Sequence, residues 1–440
     1  MRIDIPSNVS VILNILDSAG FQAFVYGACI RDSLRGINPI SWEIATNALP
    51  PDIVQLFDDR KGFRAIPTLK DYSSVSLIFQ GNSYRINTFR TGEENRFSDN
   101  IEEELGFNDF SMNSIAYSEK TGLIDPFNGW EDIQHQVIKC AGDCMNKLAE
   151  DPVRILRAVR FESQLGFKMD DSLLQAIADL KDKLLFGSCE RVANELTQIM
   201  LTDTPSICIR RLLELGLLEK LIPELMPTIG FDTHSTFHDK DVFEHTLVVL
   251  DHTKPNLALR LAALFHDVDK PNCLTIDEKG EGHCYGHASL SAQTSRGILT
   301  RLNFDRKTLN AVCALIKEHM NNYYNVSELS IKRLIRRVGP GNLDNLFELQ
   351  LADIKGTERS GRDAERIMHV RNKCWEMLSR REPLTTHDLD ISGYDLMVLG
   401  YDAGEAIGEA LDYLLDIVVD NPALNDKKIL LELLKNRPNQ

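Results

Sequence analysis

Six side chains from His245 to Asp353, all of types that bind transition metals, follow one another in the order His, His-Asp, His, His, Asp. His245 stands in EHTL, His266 and Asp267 adjoin in LFHDVDK, His287 follows in YGHASL, His319 in IKEHM and Asp353 in QLADI. Neutral imidazoles mixed with carboxylates suit a divalent first-row ion (Mn, Ni, Co, Fe or Zn), and open coordination positions let bound water ionise near neutral pH. Such hydroxide attacks phosphorus. A lone helical histidine is ordinarily a satisfied core or surface residue, so the ordered series, and not any one member, points to metal.

All of these residues but His287 are flanked by apolar stretches of helical period. An imidazole or carboxylate facing into a packed bundle is costly to bury unless something coordinates it. From about Val137 the pattern is almost wholly helical, with three-and-four spacing in Ile155–Phe161, Leu174–Leu180, Ile207–Leu217 and Leu257–Phe265. Pro223, Pro227 and Gly230 look like a joint, and a second is expected near Arg381–Pro383. Before Val137 the chain reads as mixed α and β. Ala23–Tyr26 ends in Gly27 and feeds an amphipathic segment, Cys29–Leu34, while Val75–Phe79 and Tyr84–Phe89 alternate like strands.

Hydrophobic residues make up 43% of the 440, and charged residues 26%, the balance of a folded, mostly helical protein of more than one core. The longest apolar runs, such as Leu411–Val419, fall far short of the roughly 20 residues of a membrane span, and Val11–Leu16 does not read as a secretory signal, so a cytoplasmic address without membrane contact is expected. Nine cysteines without a CxxC pair read as reduced thiols. The net charge of −16 argues against indiscriminate nucleic-acid binding, yet Arg154, Arg157 and Arg160, and again Lys332, Arg333, Arg336 and Arg337, form basic stripes. Either stripe is a candidate for RNA phosphates or a solvated face paired with the abundant acids.

The histidine series resembles the HD phosphohydrolase superfamily. That likeness implies His245, His266, Asp267 and Asp353 as primary ligands, His287 and His319 for a second ion or the substrate phosphate, and Lys270 as a phosphate contact, with Asp269 where many relatives carry glycine. A wider resemblance, to the bacterial tRNA nucleotidyltransferases (CCA-adding enzymes), covers nearly the whole chain. It rests on YGACIRDSLRG, WEIATNALPPDIVQLF, LGFNDFSMNSIAY, DPFNGWEDI, EDPVRILRAVRFESQLGF, SCERVANEL and ISGYDLMVLG, all in the family's order. It implies an α+β head with a mixed sheet and helices, then all-α neck, HD and tail domains, with boundaries expected at 1–136, 137–225, 226–380 and 381–440.

The same resemblance implies nucleotide binding by Gly27, Arg31, Asp109, Asn113, Glu150, Asp151, Arg154 and Arg157. Glu150 and Arg154 share one helical face at their spacing. In that family two aspartates with one residue between them hold magnesium; here the positions are Ser41 and Glu43. The second turn glycine is Ala28, two arginines are replaced by Phe107 and Asn108, and a carboxylate on the third strand is replaced by Arg85.

These departures lead to the expectation of a degenerate head and an HD-type metal-dependent phosphohydrolase acting on a nucleotide or RNA-end phosphate, with Asp267 and Lys270 in its chemistry. The alternatives are a working tRNA CCA- or A-adding enzyme, in which Glu43 and a neighbour such as Asp109 hold magnesium and ATP or CTP is the donor, and a non-catalytic RNA-binding protein. A tRNA or other RNA 3′ end is the expected partner. Magnesium is expected only if the head is active, and the oligomeric state is left open.

Overall fold

The computed structural model describes residues 2–68, 73–92, 96–186, 189–234, 241–321, 323, 326–357, 361–380 and 382–436. Ser188, which opens the SCERVANEL segment, and Arg381, at the expected second joint, lie outside the described residues. Two compact units follow one another along the chain, Met1–Arg191 and Val192–Gln440.

The first unit runs α1 (Ser7–Ser18), β1 (Ala23–Tyr26), α2 (Ala28–Leu34), β2 (Glu43–Thr46), α3 (Pro50–Asp58), β3 (Phe63–Pro67), β4 (Ser74–Phe79), β5 (Asn82–Thr88), α4 (Ile101–Leu105), β6 (Ala116–Ser118), β7 (Gly122–Ile124), α5 (Gly129–His135), β8 (Val137–Ile138), α6 (Cys144–Glu150), α7 (Val153–Leu165), β9 (Lys168–Met169) and α8 (Asp171–Leu180). Among the described residues seven strands make one sheet in the order β3-β4-β5-β2-β1-β6-β7. All neighbours are antiparallel except β2 and β5. The expected alternation holds: Val75 and Leu77 are buried and pair with buried Ile86 and Tyr84 across β4 and β5. On the face that carries Tyr26 and Ala45, α4 brings Ile101 and Leu105 down onto Phe24, Phe89 and Ala116. This packing sets the height of α4 above β2.

The second unit is helical: α9 (Cys189–Met200) contains the boundary, followed by α10 (Pro205–Glu214), α11 (Leu218–Leu221), α12 (Val242–Asp251), α13 (Leu257–Phe265), α14 (Lys270–Cys273), β10 (Leu274–Ile276), β11 (Gly282–Cys284), α15 (His287–Arg301), α16 (Arg306–Glu318), α17 (Glu328–Val338), α18 (Leu343–Lys355), α19 (Gly361–Ser379), α20 (Gly393–Val398), α21 (Glu405–Asp420) and α22 (Lys427–Lys435). Side chains of Asp241, Asn256, Asp305 and Ser327 accept backbone N–H groups at the starts of α12, α13, α16 and α17, satisfying donors that the first turn leaves unpaired. The joint at Pro223–Thr228 is a 3₁₀ helix, and the β8/β9 and β10/β11 pairs interrupt a stretch expected to be almost wholly helical. Each is only two or three residues long, too short for a periodicity to register. Among the described residues no helix is long and apolar enough to cross a membrane.

The 3₁₀ turn Ser111–Asn113 is pinned from outside by α5. Asp125 accepts the N–H groups of Gly129 (2.7 Å) and Trp130 (2.8 Å), and Ser111 Oγ donates to Asp132 (2.5 Å). A Cβ on Gly129 would lie 2.0 Å from the carbonyl oxygen of Ser111, a backbone atom that cannot swing away. Gly129→Ala is therefore expected to destabilise the protein by about 1–3 kcal/mol, the usual cost of overpacking. Urea unfolding followed by circular dichroism checks it, and an unchanged midpoint would contradict the packing described.

Candidate functional site

Strand β1 ends at Gly27, whose φ of +82° suits glycine and strains any residue with a side chain. Its N–H donates to Ile115 O at 3.0 Å. A Cβ at Gly27 would touch the Glu43 carboxylate at 3.4 Å and the Asn113 carbonyl at 3.9 Å, so Glu43 lies directly over the turn. Strand register puts Tyr26, Glu43, Arg85 and Ser76 in one row across β1, β2, β5 and β4. Glu43 is half-buried, and burial pushes its carboxyl up; neighbouring Arg85 opposes that and Glu104 adds to it. Ser41 precedes β2 and is exposed.

Glu104, on α4, is fully buried and accepts three hydrogen bonds from Arg90: backbone N at 3.0 Å, Nε at 2.9 Å and a terminal nitrogen at 2.7 Å. The same guanidinium lies 4.7 Å from the centre of the Phe107 ring. Beside the turn, Asp109 accepts from Phe110 N (2.8 Å), Asn113 Nδ2 (3.1 Å) and Arg157 (2.9 Å). Asn113 Oδ1 accepts from Arg31 (2.9 Å), which also donates to Asp32 (2.8 Å). Gly27, Arg31, Asp109, Asn113 and Arg157 are thus one connected set.

Glu150 and Arg154 do meet, at 3.2 Å, but not on one helix. Helix α6 stops at Glu150 and α7 starts at Val153, because Pro152 disfavours a helical Asp151 and cannot supply a hydrogen-bonding N–H. Asp151 is ion-paired with Arg191. Arg154 also donates to the carbonyls of Lys147 (2.8 Å) and Phe107 (3.4 Å). Arg160 donates to Gln164 and lies over the Phe161 ring, so the first basic stripe is folded into local contacts. In the second, Lys332 pairs with Glu382, Arg333 with Asp420, Arg336 with Asp412 and Asp416, and Arg337 with Glu318, which favours the reading of a face balanced by acids.

In the second unit the histidine series converges. His245 comes from α12, His266 and Asp267 from the end of α13, His287 from the start of α15, His319 from the end of α16 and Asp353 from α18; all are buried. Each histidine turns Nδ1 toward a backbone carbonyl, of Gly356 (3.1 Å), Ala263 (2.8 Å), Cys284 (2.6 Å) and Ile316 (2.6 Å) respectively. The proton therefore belongs on Nδ1, and each Nε2 offers a lone pair to the centre. His245 Nε2 is 3.0 Å from Asp353, and His266 and His287 Nε2 are 3.1 and 3.3 Å from Asp267. Two groups are compact enough to hold an ion: His245, His266 and Asp267, and Asp267, His287 and His319. Both Asp267 oxygens and Nε2 of His287 and His319 are buried without a well-formed hydrogen bond. Lys270 Nζ stands 2.5 Å from Asp267, answering that carboxylate.

The family described as "Poly A polymerase head domain" matches residues 23–139, and "Probable RNA and SrmB- binding site of polymerase A" matches 166–229. An A-adding tRNA nucleotidyltransferase of Deinococcus radiodurans is 30% identical over 408 residues, 88% of this chain and 89% of that one. The chain belongs to the tRNA nucleotidyltransferase family. A CCA-adding enzyme of Anoxybacillus flavithermus is 27% identical over 439 residues, 96% of this chain and 94% of its own. The fold is shared with the crystal structure of the Bacillus stearothermophilus CCA-adding enzyme in complex with CTP, at a TM-score of 0.61 and 22% identity over 97% of this chain and 96% of that one. The Thermotoga maritima CCA-adding enzyme complexed with tRNA gives 0.53 at 20% identity, over 99% and 96% of the two chains.

Membership of the tRNA nucleotidyltransferase family corrects the expectation that hydrolysis at the His/Asp centre is this protein's principal chemistry. The relatives matched along most of their length are transferases, which favours the alternative of transfer at the head. The error was one of weighting: intact histidines were read as the working site and substituted carboxylates as a lost one. Glu104, Arg90 and Gly356 were missed. Glu104 sits among three consecutive glutamates, and nothing in such a run says which one turns inward. Gly356 leaves room for the His245 ring, which a Cβ there would approach to 2.9 Å.

Glu104→Gln keeps the shape but removes the negative charge that faces the Arg90 guanidinium and turns one of the two accepting oxygens into an NH2 donor. It is expected to cost about 1–2 kcal/mol, discounted because Arg90 is partly solvated. Thermal unfolding checks this, and a variant as stable as the parent would show that the pair does not anchor α4.

Proposed function

We propose that this protein transfers a nucleotide monophosphate from ATP or CTP to the 3′ hydroxyl of tRNA, with Glu43 as the carboxylate of the transfer site. The observation that carries the proposal is the Glu43 side chain held over the Gly27 turn in a chain of this family. In the reaction the 3′ hydroxyl gives up its proton to solvent, its oxygen bonds to the α-phosphorus, the α–β bridging P–O bond breaks and pyrophosphate leaves with that bond's electrons. Half-buried Glu43 and the Ser41 hydroxyl two residues before it are hard oxygen donors, types that fit magnesium, which commonly binds through one or two carboxylates plus substrate phosphates. When bound, that ion would supply positive charge to the phosphates. The connected residues Arg31, Asn113, Asp109 and Arg157 shape the nucleotide's seat, and Glu150, Asp151 and Arg154 stand where its base would be read. Asp109 is not proposed as a partner ligand for Glu43, because both its oxygens accept hydrogen bonds from protein groups.

Incubation with labelled ATP or CTP and tRNA lacking part or all of its terminal CCA is expected to give incorporation. Glu43→Ala should lower the rate roughly 10²–10³-fold, the scale on which loss of one charge-stabilising group acts. Ser41→Asp should raise it by about tenfold, or about 1.4 kcal/mol, by supplying a second carboxylate. No incorporation by the parent protein, or incorporation indifferent to Glu43, would refute the proposal.

For the second unit we propose an HD-type domain over residues 226–380, between a neck at 137–225 and a tail from 381, whose His/Asp centre holds one or two divalent transition ions. The support is the fit: four Nε2 lone pairs of fixed tautomer face two buried carboxylates, and Nε2 of His287 and of His319 is buried without a well-formed hydrogen bond. Held there, an ion would tie α12, α13, α15, α16 and α18 together; no hydrolytic role is assigned to it. Elemental analysis after reconstitution with Mn, Ni, Co, Fe or Zn is expected to find about one ion or more per chain, and its removal should lower the melting temperature. His266→Ala should lose the ion. Purified protein that stays metal-free, with melting unaffected by chelator, would rule the site out.

A further inference from the structure

The head places a guanidinium beside the carboxylate proposed for transfer. Arg85 on β5 is the register neighbour of Glu43 on β2, and adjacent strands lie only about 4.8 Å apart. The side chain is exposed, and its Nε donates to Asn87 Oδ1 at 3.2 Å. Asn87 in turn donates to the Tyr26 hydroxyl at 2.6 Å, so the base of the guanidinium is tied to β1 through two hydrogen bonds. On its other side Ser76 is Arg85's partner on β4, and the Ser76 and Ser83 hydroxyls are 3.0 Å apart. A cation flanked by hydroxyls on the exposed part of a sheet face is suited to phosphate oxygens.

Glu43 is a carboxylate in register beside Arg85, and the position two residues before Glu43 is a neutral serine. Glu43 and Arg85 together carry no net charge, so this part of the site does not repel a polyanion as two adjacent carboxylates would.

We propose that Arg85 binds the β- or γ-phosphate of the incoming nucleotide, supplying with a fixed guanidinium charge that a site short of one carboxylate draws less strongly from bound cations. This rests on the reading of the head as the nucleotide site. It makes nucleotide triphosphate binding partly independent of divalent metal.

The test is calorimetric titration of the full-length protein with ATP, and with adenosine, in excess EDTA. ATP is expected to bind the parent at least tenfold more tightly than adenosine, and Arg85→Ala should abolish that difference while Arg85→Lys recovers part of it. Arg64→Ala, which removes a cation from β3, should leave the difference intact. In the tRNA incorporation assay with magnesium, Arg85→Ala should raise the KM for ATP more than it lowers kcat. Circular dichroism melts of the variants establish that each is folded. Equal affinity of the parent for ATP and adenosine in EDTA, or an ATP preference that survives in Arg85→Ala, overturns the proposal. An Arg85-dependent ATP preference in a protein that transfers nothing to tRNA upholds the phosphate site and defeats the transfer reading instead.

Discussion

Buried carboxylates govern this structure, because each removed from water must meet a donor or a cation within hydrogen-bonding distance. Glu104 meets Arg90, and Asp109 meets Arg157, Asn113 and a backbone N–H. Asp267 and Asp353 meet a ring of imidazoles, and Asp267 also meets Lys270. The first two pairings hold the edges of the proposed transfer site: Arg90 and Glu104 link the segment after β5 to α4, and Arg157 ties α7 to the segment after α4. Removing one partner would leave the other's charge uncompensated, so these contacts constrain geometry more strongly than their net contribution to stability suggests.

Much of the architecture was legible in the residues. A four-residue apolar run ending in glycine became β1, its turn and α2, since the run is fully buried and only glycine suits the turn's backbone. The histidine series was legible for the same kind of reason: apolar periodicity beside all of its members but His287 places those side chains at the inward face or end of a helix. Contacts between distant segments were less readable. Arg90 and Glu104 are 14 residues apart with α4 starting between them, and the bond depends on how α4 lands on Phe24 and Phe89. The break at Asp151 was overlooked although its cause, Pro152, was in plain view, because the spacing of Glu150 and Arg154 looked helical on its own.

Taken singly, Ser41 and Arg85 are losses at a site that needs negative charge. In the folded head they lie on either side of Glu43, one two residues before it in sequence and the other across the sheet, so the charge around Glu43 depends on both. A site judged one ligand at a time looks dismantled, whereas its electrostatics are set by the sum over neighbours within a few ångströms.

The same logic bears on Phe107 and Asn108, where cationic side chains were expected. The backbone there is held by cations from elsewhere: Lys147 donates to the Gly106 carbonyl and Arg154 to that of Phe107, while Asn108 donates to Asn113 O at 2.8 Å. Arg90 lies over the Phe107 ring. The segment leading to Asp109 thus stays docked against α6, α7 and the turn through main-chain carbonyls, which any residue type supplies. Side chains at 107 and 108 can change without releasing Asp109 and Asn113, whereas loss of Arg154 would free the carbonyl it holds and break its contact with Glu150. Arg154 is therefore constrained by the docking of this segment as well as by any contact with a base.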